Sequence, residues 1–190
     1  MRFASDNWAG ATPEGYKLCL YSFLLIGCMF SDLRERILPD EFTLGGTYVG
    51  VALSCLIALP DPRIVHLFLP MQWPEMFRNF VESAVSAGLP ALLMWLVGEI
   101  YLRVRGREGL GFGDVKMVAM IGAFLGLQGA LLTLIAGSLV GGVGGLLFIW
   151  LTGKDASTYQ LPFGAFLGGA ALAVRVFGES VMRWYLRVGP

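Results

Sequence analysis

Charge is scarce in this chain. Asp, Glu, Lys and Arg make up only 15% of its 190 residues and cancel to a formal net charge of zero, where an ordinary soluble domain carries roughly 25% charged residues. That balance gives no polybasic surface, so no nucleic-acid partner is expected. Histidine is nearly missing. His66 stands alone, which leaves little basis for a histidine-activated nucleophile. Cysteine is also sparse: Cys19, Cys28 and Cys55 are odd in number, lie in apolar runs and form no CxxC pair. Neither a zinc site nor a disulfide framework is indicated, and the three read as small core residues. The opening MRFASDNWAGATPEG has acids and no apolar centre. It is not a cleavable signal peptide, and the first span is expected to serve as its own uncleaved signal.

Apolar residues are abundant instead, at 56% of the chain with a mean hydropathy of +0.67. Lipid is the expected solvent. A spanning helix needs about 20 mostly apolar residues. The expected fold is an all-α, polytopic helical membrane protein of about six spans, in one membrane domain over residues 1–190. The spans fall near 16–36, 41–59, 80–103, 114–127, 130–151 and 162–183, with the long run after Asp114 broken near Gln128-Gly129. The stretch PDPRIVHLFLPMQWPEMFRN is too broken to span and is expected at the interface, with Trp73 as an aromatic anchor. Small-residue pairs at Gly46/Gly50, Gly122/Gly126, Gly141/Gly145 and Gly164/Gly168 would let helices approach closely.

Six spans put both termini on one side. Arg34, Arg36, Arg105, Arg107 and Lys154 fall in the first, third and fifth internal loops, and Arg63 and Arg78 in the others. The positive-inside rule places the first set in the cytoplasm.

Two acids then stand at the same cytoplasmic edge. Asp32 closes the first apolar run, and Asp114 opens the fourth after the glycine-rich GREGLGFGDVKM, residues 106–117. Acids at such places are costly and usually functional. Helix rise puts Asp32 roughly 20–25 Å from Tyr16, inside the boundary rather than out in water. Gly111 and Gly113 allow a tight turn and leave room for a substrate strand. Two neighbouring carboxylates share a proton, so one can draw a proton from water while the other donates to a carbonyl oxygen. Helix capping is the plain alternative for Asp114.

These residues carry a resemblance. GREGLGFGDVKM resembles the glycine-x-glycine-aspartate motif of the type IV prepilin peptidases. SDLRERILPDEFTL, residues 31–44, is similar to the family's first motif at Asp32, Pro39, Asp40, Thr43 and Leu44. QLPFGAFLGGA, residues 160–170, is similar to the opening of the family's last span. The three lie in family order. The resemblance implies a membrane aspartyl endopeptidase that removes the short basic leader of type IV pilin-like precursors, cutting after a glycine at the cytoplasmic membrane edge. It implies Asp32 and Asp114 as the catalytic pair, with Gly111, Gly113, Lys116 and Pro39 in the substrate-binding turn, in a bacterial inner membrane. The chain lacks the CxxC-bearing cytoplasmic insert that longer members carry for N-methylation. It therefore resembles the short peptidases of tight-adherence (Flp-type) pilus systems, with no metal or cofactor expected. Its expected partners are pilin-like precursors and membrane lipid.

Other polar residues have plainer readings. Lys116 either serves the aspartate pair or a substrate carboxylate, or snorkels to headgroups. Glu99 and Arg103 are spaced for a helical ion pair. Asp40 and Glu41 cap the second span or meet a basic leader. Arg175 is expected to pair with Glu179 or Glu82 in the outer half. The rival function is a small proton-coupled transporter or channel using the paired carboxylates. It would want acids near the midplane and interrupted helices in matching halves, whereas these two acids share one edge.

Overall fold

The computed structural model describes residues 12–57, 59, 73–107, 109–152 and 162–188. Among them every regular element is helical: α1 (Pro13–Glu35), α2 (Asp40–Ser54), α3 (Glu75–Arg105), α4 (Phe112–Thr152) and α5 (Phe163–Val188). Three helices are long and apolar enough to cross a membrane, Pro13–Glu35, Glu75–Arg105 and Phe112–Leu147, and Phe163–Gly178 is a shorter apolar one. The distribution of side chains suits lipid. On α1, Phe23, Ile26 and Phe30 face outward while Tyr21, Leu24, Leu25 and Cys28 are buried. Large apolar groups outside and a packed, partly polar inside are what a bilayer selects.

Local chemistry sets the helix ends. Thr12 Oγ1 accepts the Gly15 N–H at the start of α1, with Pro13 in the first turn. Arg36 ends α1 in a left-handed conformation, φ 55°, and donates its N–H to the Asp32 carbonyl. Gly106, φ 65°, ends α3 in the same way. Pro90 lies inside α3 and is buried. It has no N–H for the Ser86 carbonyl, and that carbonyl faces α4: a β-carbon on Gly122 would run into it. The two helices pack backbone to backbone there.

α4 is one long helix only by name. Gly126 interrupts it with φ 77° and ψ 176°, a region open essentially to glycine alone. Met117 Cε lies 3.1 Å from where a β-carbon on Gly168 would stand, and Leu167 Cδ1 lies 3.1 Å from one on Gly137. Residues 117 and 137 therefore share one level of α5, although a straight helix would hold them about 30 Å apart. The chain folds back at Gly126, and the described residues form six helical arms. The break falls before the expected Gln128-Gly129, which is helical, because Gly126 supplies the positive φ.

The other glycine pairs serve packing. Gly46 meets Met120 and Leu24, Gly50 meets Phe124 and Ala123, Gly141 meets Phe163 and Phe166, and Gly168 meets Met29. These contacts run α1 antiparallel to α2 and α5, and α2 alongside the first arm of α4. α3 begins at Glu75, taking in part of the expected interfacial stretch, and Trp73 packs on Phe77 at 4.8 Å between ring centres. The rest of that stretch, residues 60–72 with Asp61, Arg63 and His66, lies outside the described residues, as do residues 1–11, Glu108, and the 153–161 loop with Lys154.

Candidate active site

One end of the bundle gathers the C-terminal ends of α1 and α3 with the N-terminal ends of α2, α4 and α5. Asp32 sits there on the last turn of α1 and is only 6% exposed. Its Oδ2 accepts the backbone N–H of Ala165 at 2.8 Å, and the Gly164 N–H also points to it. The carboxylate thus closes the N-terminus of α5, where unpaired N–H groups and the helix dipole favour negative charge. Gly164 makes the approach possible. A β-carbon there would stand 3.1 Å from Asp32 Oδ2 and 3.1 Å from Leu38 Cδ1. The Pro162-Phe163-Gly164 stretch is the sequence signal for this contact, although sequence alone does not assign Asp32 as the partner of Gly164 and Ala165.

Asp114 occupies the first turn of α4, half-buried, with its N–H bonded to the Gly111 carbonyl at 3.1 Å. Its Oδ2 lies 3.3 Å from the place of a β-carbon on Gly111. Leu38 ties the two acids to one end of the bundle, packing on Gly113 next to Asp114 and on Gly164 beside Asp32. It touches Gly113 at 3.1 Å and Gly164 at 3.1 Å from their virtual β-carbons. Gly113 has no positive φ; glycine is needed there for room beside Leu38 rather than for a strained bend.

The loop carrying Leu38 is pinned at both sides. Ser31 Oγ donates to the Ile37 carbonyl at 2.8 Å, and Pro39 N-caps α2, its carbonyl accepting the Thr43 N–H and hydroxyl, both at 3.1 Å. Lys116 is engaged by this loop: its Nζ bonds Asp40 Oδ1 at 2.6 Å and lies 5.1 Å from the Phe112 ring centre. The pair fastens the start of α4 to the start of α2, beside the aspartates. Glu99 and Arg103 pair at 2.9 Å as the helical spacing implies.

Far from this end, the charge of Arg175 lies within reach of Lys17 and Tyr21. Lys17 Nζ donates to the Ile57 carbonyl at 3.2 Å. Glu82 is buried at 1% exposure, and the side chain of Glu179 lies outside the described residues.

Comparison with known proteins fits this geometry. The model of a family described as the type IV leader peptidase family matches residues 19–146, which include both aspartates. The chain is 29% identical over 174 residues to a prepilin leader peptidase/N-methyltransferase of Xanthomonas campestris, covering 92% of this chain and 54% of that protein. It is 32% identical over 178 residues to one of Pseudomonas aeruginosa, covering 94% and 55%, and 29% identical over 167 residues to one of Aeromonas salmonicida, covering 88% and 51%. The chain spans about half the length of the curated relatives it matches. No solved structure matches it.

Proposed function

This chain belongs to the type IV leader peptidase family, and from that membership we propose that it is a membrane aspartyl endopeptidase acting on type IV pilin-like precursors. The observation that carries the proposal is that Asp32 and Asp114 stand at one end of the helical bundle, with Leu38 packed on the glycine beside each. The reaction is hydrolysis of one peptide bond. One carboxylate takes a proton from water as the water attacks the scissile carbonyl. The other carboxyl, protonated, donates to the carbonyl oxygen; the first then passes the proton it took from water to the leaving amine, while the second regains a proton from the collapsing gem-diol. The proton belongs to the pair, and the roles pass between its members.

The six arms are six passes in the bacterial inner membrane, with the aspartate end at the cytoplasmic edge. Arg34, Arg36, Arg103 and Arg105 cluster at that end, in keeping with the positive-inside rule. The substrate's hydrophobic helix docks from the lipid side, bringing its juxtamembrane bond beside Gly111 and Gly113. Methyl transfer is part of the relatives' printed name and lies outside this proposal.

The test uses the purified protein in liposomes with a pilin-like precursor that keeps its leader and hydrophobic helix. Cleavage after the leader glycine is expected. An intact precursor at saturating enzyme would overturn the proposal.

A further inference from the structure

Beside Asp114 lies a cavity that the two-aspartate chemistry does not use. It has a volume of about 180 Å³ between the last turns of α3 and the loop before α4, and is lined by Trp95, Glu99, Leu102, Gly111 and Phe112 among others. The loop lies tightly on α3: Leu110 would touch a β-carbon on Gly98 at 3.3 Å, and the Tyr101 ring covers Gly109. Gly111 belongs both to this cavity and to the contact with Asp114 Oδ2. A chain crossing the aspartates can therefore place a neighbouring side chain in the cavity.

The lining has one chemical character. Trp95, Leu102 and Phe112 give apolar walls, and Glu99 gives the anionic group in the lining. Walls of this kind suit the methylene stem of lysine or arginine, with the cationic head at the carboxylate and over an aromatic face. Glu99 is held meanwhile by Arg103, whose side chain is 76% exposed. An exposed ion pair of this kind is worth little, so an incoming cation can replace it. The C-terminal end of α3 adds its own negative potential.

Resting on the peptidase reading above, we infer that this cavity is the specificity pocket for a basic leader side chain, with Glu99 as the residue that reads its charge. It would take one lysine or arginine on the leader side of the cut and orient the scissile bond over the aspartates.

The test is a charge cycle in liposomes. Wild type, Glu99→Gln and Arg103→Gln are each assayed for kcat/KM on a precursor with its basic leader and on one with those basic residues changed to glutamine. Glu99→Gln should lose about tenfold on the basic leader, chiefly in KM, and almost nothing further on the neutral leader. Arg103→Gln should keep full activity on both, since it only frees Glu99. Equal losses for Glu99→Gln on both leaders would overturn the inference, and so would the same loss in Arg103→Gln, which would make the pair merely structural. A loss that follows the phosphatidylethanolamine content of the liposomes rather than leader charge would assign the cavity to a lipid ammonium and overturn it too. Failure of wild type to cut either precursor would instead strike the peptidase reading on which the pocket rests.

Discussion

Asp32 Oδ2 accepts the Ala165 N–H at 2.8 Å across 133 residues of sequence. One carboxylate thereby joins the end of α1 to the start of α5 and stands beside Asp114. The bond holds the acid in place with a backbone donor, whose position is fixed by a helix rather than by a rotatable side chain. Preorganisation of this kind keeps a reacting group in register with its partner.

Removing either proton-transfer role should stop cleavage without unfolding the chain. Asp32→Asn and Asp114→Asn keep shape, and an asparagine at position 32 still offers an oxygen to the Ala165 N–H. Each should lower cleavage of a co-expressed precursor by at least about a hundredfold, with membrane levels near wild type on immunoblots. Asp32→Ala should in addition lower stability by about 1 kcal/mol, because the start of α5 loses its acceptor. A single asparagine variant that still cleaves fully would refute the two-aspartate mechanism.

Gly164 tests the placement of Asp32. In Gly164→Ala the new methyl would stand 3.1 Å from both Asp32 Oδ2 and Leu38 Cδ1, tighter than a relaxed contact. The carboxylate must shift, and cleavage should fall about tenfold or more. Gly169→Ala is the control, since its nearest neighbour, Met29 Cε, is 3.8 Å away. Equal activity in the two purified variants would show that the position of Asp32 tolerates displacement.

Composition and apolar runs made the all-helical membrane character legible, and the spacing of Glu99 and Arg103 gave their ion pair. The two aspartates stood out because acids at the ends of apolar runs are expensive. Their surroundings could not be read, because each contact spans the chain. Leu38 is an ordinary apolar residue until α4 and α5 bring Gly113 and Gly164 against it. Lys116 was compatible with three local roles, and only the meeting of α2 with α4 selects Asp40. The break in α4 is expected near Gln128-Gly129 and falls two residues earlier, at Gly126, where the positive φ is open to glycine.

The proposed orientation can be checked by labelling. In a background with Cys19, Cys28 and Cys55 replaced by serine or alanine, single cysteines at Glu35 and Arg105 should react with an impermeant maleimide only after the cytoplasmic face is opened. One at Glu75, at the opposite end of α3, should react in intact spheroplasts. The reverse pattern would place the aspartates on the outer face, where a cytoplasmic leader cannot reach them.

The fold-back at Gly126 offers a test of the hairpin separate from catalysis. No atom lies within 4 Å of the place a β-carbon would take there, so a methyl group meets no neighbour. The cost of Gly126→Ala is then purely conformational, because φ 77° with ψ 176° is a region that side chains disfavour. A loss of about 1–3 kcal/mol in stability is expected, read as a lower melting temperature of the purified protein. Specific activity per folded molecule should stay near wild type, since the turn lies at the far end of the first arm from Asp114. Gly129→Ala gives the contrast. There the backbone is helical and the methyl would press on Leu125 Cβ at 2.5 Å, an atom fixed to its own backbone, so the cost of that change is steric rather than conformational. If the melting temperature of Gly126→Ala matched wild type, the chain would have no sharp reversal at that residue. The level shared by residues 117 and 137 along α5 would then need another turn.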